Sequence, residues 1–400
     1  MSASEASPAD MVPASVVWTS ELLEYDLGGD HPLHPVRLDL TIRLATELGV
    51  LDGVPLLVPD RAPDDEIQRA HEPGYLAAVK EAPENGPNPG RGLGTADNPV
   101  FDNMHESSAL VVGSSLLAAQ QIAEGRTKRA VNIAGGLHHA MVGNAAGFCI
   151  YNDCVVAISW LLDHGFERIA YIDTDVHHGD GVQAAFYDDP RVLTVSFHQH
   201  PLTLWPGTGY PSELGEGAGH GYAVNVPLLP MTRDGDWLRA FEAIVPALLA
   251  EFRPQLIVSQ CGVDSHVEDP LAELALTVDG HREIYRRIRR LAEDYADGHW
   301  LALGGGGYQL VRVVPRSWTH LLATALDRDL APETPLPQGW LRIARRTSPN
   351  SHLPTTMSDG ADTSFEPWGG DADRQVDAAI VQARRAVFPL HGLDPDDPRD

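Results

Sequence analysis

The chain has 400 residues, enough to bury the core of one large α/β domain or of two ordinary ones. Its 56 acidic residues outnumber 29 basic ones for a formal net charge of -27, which repels phosphate backbones and argues against direct nucleic-acid binding. Three cysteines, Cys149, Cys154 and Cys261, show no CxxC spacing, which argues against a secreted disulfide scaffold and fits a reducing cytoplasm.

Met1 to Ala14 is small, polar and Pro-containing, with acidic residues where a signal peptide needs basic ones, and is expected to be a disordered lead-in. The folded domain is expected to run from Ser15 to Asp327. Within it, β-rich runs begin at Val16 (VVW), Val54 (VPLLV), Ala130 (AVNIA), Arg168 (RIAYI), Val192 (VLTVSF), Tyr222 (YAVNV), Gln255 (QLIVS) and Trp300 (WLALG). Helical segments alternate with them over Pro35 to Leu48, Met104 to Glu124, Asn152 to His164, Gly235 to Phe252 and Gly280 to Ala296. This alternation predicts a three-layer α/β/α fold around a mostly parallel sheet of about eight strands.

The Pro/Gly-rich stretch Pro83 to Pro99 is too long for an ordinary connection and is expected to be a functional surface loop. Residues 328–400 shift toward Pro, Ser, Thr and Asp around one amphipathic run, Ala372 to Val387, and are expected to lie against the domain as an extension. No apolar run reaches membrane-spanning length, so a soluble, cytoplasmic chain with no membrane partner is expected.

The chemistry concentrates in YIDTDVHHGDGV, which follows an apolar run and places three carboxylates and two imidazoles between Asp173 and Asp180. Alternation directs Asp173, Asp175 and His177 to one face at the carboxyl end of a strand, where open α/β sheets hold their ligands. Two of the three are metal-ligand candidates, and Asp264, after QLIVSQCG, could complete an Asp, His, Asp set with a position left open for water. The paired His138 and His139 in GGLHHA need carboxylate partners to fix their tautomers, and Asp173 and Asp180 are the ones that metal would leave free. The GGGGY run reads as a flexible, side-chain-free loop able to carry the Tyr308 hydroxyl to a developing oxyanion.

These residues resemble the histone deacetylase superfamily, in particular its bacterial branch of acetoin-utilisation-type deacetylases. The matching pieces are HPLHPVR at 31, DNPVFDNM at 97, GGLHHA at 135, GFCIYND at 147, DTDVHHGDGVQ at 173, PGTG at 206, GVDSHVEDPL at 262 and LGGGGY at 303, in family order. Residues 356–368, TMSDGADTSFEPW, resemble the C-terminal extension of actinobacterial members.

The resemblance implies an arginase/deacetylase-like fold. It also implies that Asp175, His177 and Asp264 hold Zn²⁺ or Fe²⁺, that His138 with Asp173 and His139 with Asp180 form two dyads, and that Tyr308 polarises the carbonyl. Asp97 matches a rim carboxylate for the substrate backbone, Phe148 and Trp205 match the aromatic channel walls, and Gly147 matches the narrow channel backbone. Arg37 matches a residue of an internal cavity behind the metal. A potassium ion is implied near Asp173, Asp175, His177, Ser196 and Phe197. Leu204 and Leu271, a rim residue, stand where members vary among aromatics, Met and Leu, which leaves acyl preference open.

The implied activity is removal of acetyl groups from N-ε-acetyl-lysine in proteins, acyl-CoA synthetases among the partners considered, with release of acetate. Three other readings stay open: a small-molecule deacetylase such as an acetylpolyamine amidohydrolase, an arginase-like enzyme with two manganese ions, and a non-catalytic acyl-lysine reader. Oligomeric state has no signature in the sequence.

Overall fold

All eight apolar runs become strands: β1 (Val12–Val17), β2 (Leu56–Leu57), β3 (Thr127–Asn132), β4 (Ile169–Asp173), β5 (Val192–Gln199), β6 (Ala223–Leu228), β7 (Leu256–Gln260) and β8 (Trp300–Leu303). In the computed structural model, which describes residues 12–400, they form one sheet in the order β2-β1-β3-β8-β7-β4-β5-β6. Every neighbouring pair is parallel. Strands β4 to β8 are buried at every position, as a sheet covered on both faces demands, and this is why they read as continuous apolar runs.

The helices are α1 (Val36–Glu47), α2 (Asp64–Ile67), α3 (Pro73–Asn85), α4 (Met104–Ala123), α5 (Asp153–Asp163), α6 (Asp180–Ala185), α7 (Asp234–Phe252), α8 (Val278–Tyr295), α9 (Val314–Ala325), α10 (Gln338–Thr347) and α11 (Asp377–Val387). One set packs through α4 onto α5, β1 and β3, with α5 against α6. The other runs through α9, which meets α1 and α8, and continues through α7 to α11. Among the described residues no helix is long and apolar enough to cross a membrane.

Several expectations need correction. Strand β1 begins at Val12, so Val12 to Ala14, expected in the lead-in, pair with β3 from Thr127 onward; the remainder of that lead-in lies outside the described residues. Pro83 does not open a loop but sits in the last turn of α3, held by the buried face Tyr75, Leu76, Val79 and Ala82. The segment after it is tied down rather than free, because Arg91 donates to the Gly143 carbonyl at 2.9 Å and Ala145 N–H donates to the Arg91 carbonyl at 3.0 Å. Helix α9 was not among the expected helices; it carries a polar stripe through Arg316, Thr319 and His320, and that stripe is buried as well, because Arg316 and His320 donate to the carbonyls of Ser358 and Met357 in the extension.

The extension contributes two helices where one was expected: α10, which was not anticipated, and α11, which begins at Asp377 rather than Ala372. Asp377 of α11 pairs with buried Arg239 of α7 at 2.7 Å. Arg384 is fully buried between Trp368 and Phe388, with its charge met by the carbonyls of Ala243, Asp394, Pro395, Asp397 and Asp400.

The sheet order sets the site. Strands β3, β8, β7 and β4 are consecutive at the centre of the sheet although the chain visits them far apart, so the loops leaving their carboxyl ends converge on one spot.

Candidate active site

Asp173 ends β4, and the chain then bends through residues 175–177. Asp175 N–H donates to Asp173 Oδ1 at 3.2 Å and His177 N–H donates to Asp175 Oδ1 at 3.0 Å, which ties three ionisable groups together in successive local turns. Asp173 Oδ2 accepts from the Tyr171 hydroxyl at 2.8 Å and lies 2.7 Å from His138 Nδ1. His139 Nδ1 lies 2.7 Å from Asp180 Oδ1, and both dyads are thus assembled as the sequence pairs them.

The turn bearing the two histidines is held by the start of α5. Asp153 accepts from Gly136 N–H at 3.0 Å, Leu137 N–H at 2.8 Å and the Ser115 hydroxyl at 2.6 Å, while Asn152 Nδ2 donates to the Ala140 carbonyl at 3.0 Å. Sequence reasoning missed Asp153, which reads as an ordinary acidic residue in the first helical turn; its place in GFCIYND was the available signal.

Asp175, His177 and Asp264 are buried, and their ligand atoms all lie within 4.8 Å of one another. His177 Nδ1 is 3.2 Å from Asp175 Oδ1 and 3.1 Å from Asp264 Oδ2. Burial alone would lower the His177 pKa, but hydrogen bonds to the two carboxylates outweigh it and push it up to about 10. Burial and the charge of Asp175 push Asp264 up to about 7. This buried oxygen and nitrogen donor set, without thiolate, fits a small divalent ion with room for further ligands.

Asp175 is fixed from outside that set, with its Oδ2 accepting from Gln260 Nε2 at 2.7 Å and Gly306 N–H at 2.8 Å. Asp264 Oδ1 accepts from Val176 N–H at 2.9 Å. Gln260, the last residue of β7, carried no signal in the sequence beyond following an apolar run.

The glycine run is not the flexible loop expected. Val263 N–H donates to the Gly306 carbonyl at 2.8 Å, and a Cβ at Gly306 would lie 2.0 Å from Asp264 Oδ2, so its glycine is required by close approach of backbone to the metal group. Tyr308 N–H donates to Asp269 Oδ2 at 2.8 Å, an anchor that sequence reasoning did not single out. Burial, reinforced by Asp264 and Asp175, raises the Tyr308 pKa well above its usual value, so the phenol stays a donor. Arg37 is buried, donates to the Gly307 carbonyl at 3.1 Å and stacks 5.0 Å over Trp318, which puts a fixed cation behind Tyr308.

Leading inward to this centre is a narrow cleft lined by Gly147, His138, His139, Asp175 and Tyr308. A Cβ at Gly147 would lie 2.5 Å from the His139 ring and 2.7 Å from Trp205, so no larger residue fits there. Trp205 meets His139 edge-on at 4.6 Å between ring centres, and Phe148 meets Tyr308 at 5.5 Å. Asp97 is exposed, its carbonyl 3.2 Å from His31 Nε2, and His31 in turn packs on Phe148. Leu271 is half-buried, its N–H donating to Asp269 Oδ1 at 3.0 Å.

Of the residues implied for potassium, Asp173 and Ser196 are register partners on β4 and β5. The Phe197 ring packs on Trp237 and Phe241 in the core, which leaves only its backbone oxygen as a donor.

The sequence matches the Histone deacetylase domain over residues 31–325. It is 40% identical over 352 residues to the acetoin utilization protein AcuC of Bacillus subtilis (strain 168), covering 86% of this chain and 90% of that one. The AcuC of Staphylococcus xylosus is 38% identical over 354 residues, covering 88% and 91%. Among solved structures, an HDAC homologue complexed with SAHA superposes with a TM-score of 0.80 at 30% identity, covering 94% of this chain and 99% of that chain. An HDAC homologue from Aquifex aeolicus gives 0.80 at 29% identity, covering 93% and 99%.

Proposed function

This chain belongs to the histone deacetylase family, and from that premise we propose that it is a zinc-dependent hydrolase that removes the acetyl group from N-ε-acetyl-lysine side chains of proteins. The observation that carries the reading is the slot at Gly147, pinched between His139 and Trp205, which suits an unbranched alkyl stem and leads to both His-Asp dyads. Support for a polypeptide comes from the rim that Trp205 would form, where Trp205 is 45% exposed and Leu202, three residues before it, 79%, apolar surface that a small polar cation would not use. Asp97 stands at that rim to accept from substrate backbone N–H groups.

A divalent ion held by Asp175, His177 and Asp264 would lower the pKa of water from about 16 toward ~7 and polarise the amide carbonyl. His139, tied through Nδ1 to Asp180, takes the proton of the attacking water on Nε2 and returns it to the nitrogen of the leaving lysine. His138 stays positive beside Asp173 and Asp175 and supports the charge that develops. The Tyr308 hydroxyl donates to the carbonyl oxygen as that oxygen gains charge. The C–N bond breaks to give acetate and a free lysine amine. Asp173 and Ser196, together with the backbone oxygens of Asp175, His177 and Phe197, would hold a potassium ion, which would supply positive charge to this segment.

The net charge of -27 favours one alternative, a small cationic amide such as an acetylpolyamine. The test is acetate release by zinc-loaded protein from acetyl-lysine peptides, an acetylated acyl-CoA synthetase and acetylpolyamines. Turnover of the lysine substrates is expected; silence on them with rapid polyamine hydrolysis would overturn the reading.

A further inference from the structure

The loop after β7, residues 262–271, does two jobs at the site. It carries Asp264 of the metal group, and it carries Asp269, which accepts from the backbone of Tyr308. Between them lies His266, which is 1% exposed. His266 Nδ1 accepts from Glu268 N–H at 3.0 Å, so the ring proton sits on Nε2 and is donated to Asp359 Oδ2 at 2.9 Å. The His266 carbonyl accepts from Asp269 N–H at 2.8 Å, and its own N–H donates to the Val263 carbonyl at 3.3 Å. Ring orientation and turn conformation are therefore one unit.

Asp359 comes from the C-terminal extension, and it is firmly seated. Its Oδ1 pairs with Arg316 at 2.8 Å, a guanidinium that is 1% exposed, and its Oδ2 also accepts from Val278 N–H at 2.9 Å. The backbone N–H groups of Asp359 and Ala361 both donate to Asp279, at 2.9 and 3.1 Å. On either side of these contacts, Arg316 donates to the Ser358 carbonyl and His320 to the Met357 carbonyl, each at 3.1 Å. A second strut runs parallel to the first, because Arg312 joins Glu268 at 2.7 Å to the His352 carbonyl at 2.6 Å.

We infer that Asp359 is a positioning residue of the active site: through His266 it holds the turn that sets Asp264 against the metal and the backbone of Tyr308 against Asp269. The extension is thereby a working part of the catalytic centre, and not only a cover on α7. The kinetic half of this inference rests on the deacetylase reading; the metal-binding half needs only Asp175, His177 and Asp264.

The experiment compares full-length wild type with Asp359→Ala, His266→Ala, the double variant, and Asp377→Ala, which breaks the Arg239 pair elsewhere in the extension. Zinc affinity is read by competition with a chromophoric chelator, alongside the thermal midpoint and acetyl-lysine peptide kinetics. Supporting contacts around metal ligands commonly contribute about 10- to 100-fold in affinity. Asp359→Ala is therefore expected to weaken zinc by about 10-fold or more and to lower kcat with KM within about twofold. His266→Ala should match it, the double variant should be no worse, and Asp377→Ala should lower the midpoint without moving zinc affinity. Wild-type zinc affinity in folded Asp359→Ala, or an equal loss in Asp377→Ala, would overturn the inference. If Asp359→Ala does not fold, His266→Ala decides, since it removes the contact with the turn while leaving Asp359 paired with Arg316 and Val278, and an unchanged zinc affinity there overturns the inference equally. Weakened zinc in the variants together with a wild type silent on every peptide would sink the deacetylase reading alone.

Discussion

The Nε2 atoms of His138 and His139 face each other at 2.9 Å, so one ring presents a proton and the other a lone pair. Burial disfavours charge on both. Asp173 and Asp175 outweigh it at His138, pushed up to about 9, whereas burial and the neighbouring His138 cation hold His139 down to about 4. The rings are thus inequivalent: His138 carries the shared proton and His139 Nε2 the lone pair, which can act as a base once water takes the place of the His138 N–H. His139→Ala should lower kcat for acetyl-lysine peptides by about 10²- to 10⁴-fold, with a smaller loss for His138→Ala. Equal losses in steady-state assays would refute this division of labour.

In the proposed reaction Tyr308 would act through one oxygen. Removing it in Tyr308→Phe leaves the ring against Phe148 and the backbone bond to Asp269, so the thermal midpoint should be preserved. kcat should fall by roughly 10²- to 10³-fold with KM little changed. A fall in KM-linked affinity instead would mark Tyr308 as a binding contact only.

Metal removal should destabilise the fold, because Asp175 and Asp264 then compete for His177 without a cation. Ligand binding at a thousand times its Kd stabilises by about 4 kcal/mol. Calorimetry with and without a chelator should show a lower midpoint for the stripped protein, restored by zinc. No difference between the two forms would argue that nothing binds at this group.

Acid should unfold the metal-loaded protein early. Burial lowers His71 to about 4, His281 to about 3 and His320 to about 4. His71 is locked neutral, since its Nε2 accepts from Asn152 N–H at 2.9 Å. The unfolded chain therefore binds more protons below about pH 6.5, and stability must fall as pH drops from there toward 4, by about 1.4 kcal/mol per pH unit for each histidine. Urea midpoints measured from pH 7 to 4 should decline, more shallowly in His71→Gln; a flat profile would contradict the assignment.

Gly306→Ala should abolish metal binding with little loss of fold, because the added methyl would lie 2.0 Å from Asp264 Oδ2 and 2.9 Å from Asp175 Oδ2. Zinc titration of the variant tests this directly. Retained affinity would mean that the loop has slack to move.

Alternation of apolar and polar residues and the density of ionisable groups are local properties, and what depends on them was legible in the sequence alone. That covers the eight strands and the cluster of Asp173, Asp175 and His177 after one of them, whereas the pairing within the two dyads and the choice of Asp175, His177 and Asp264 as a set came from the family resemblance. Contacts between distant residues leave no local trace. Only the tertiary structure made β3, β8, β7 and β4 neighbours, used Asp153 to hold the histidine turn, and seated Gln260 on Asp175. It also turned a supposedly loose glycine run into a tight liner of the metal group, and buried even the polar face of α9. Asp359 makes the same point: in sequence it is one acid in a Pro- and Ser-rich tail, and only folding brings it 2.9 Å from His266. Its partner is chosen by the packing of α8 and α9 beneath the extension, a cooperative arrangement that no single segment encodes.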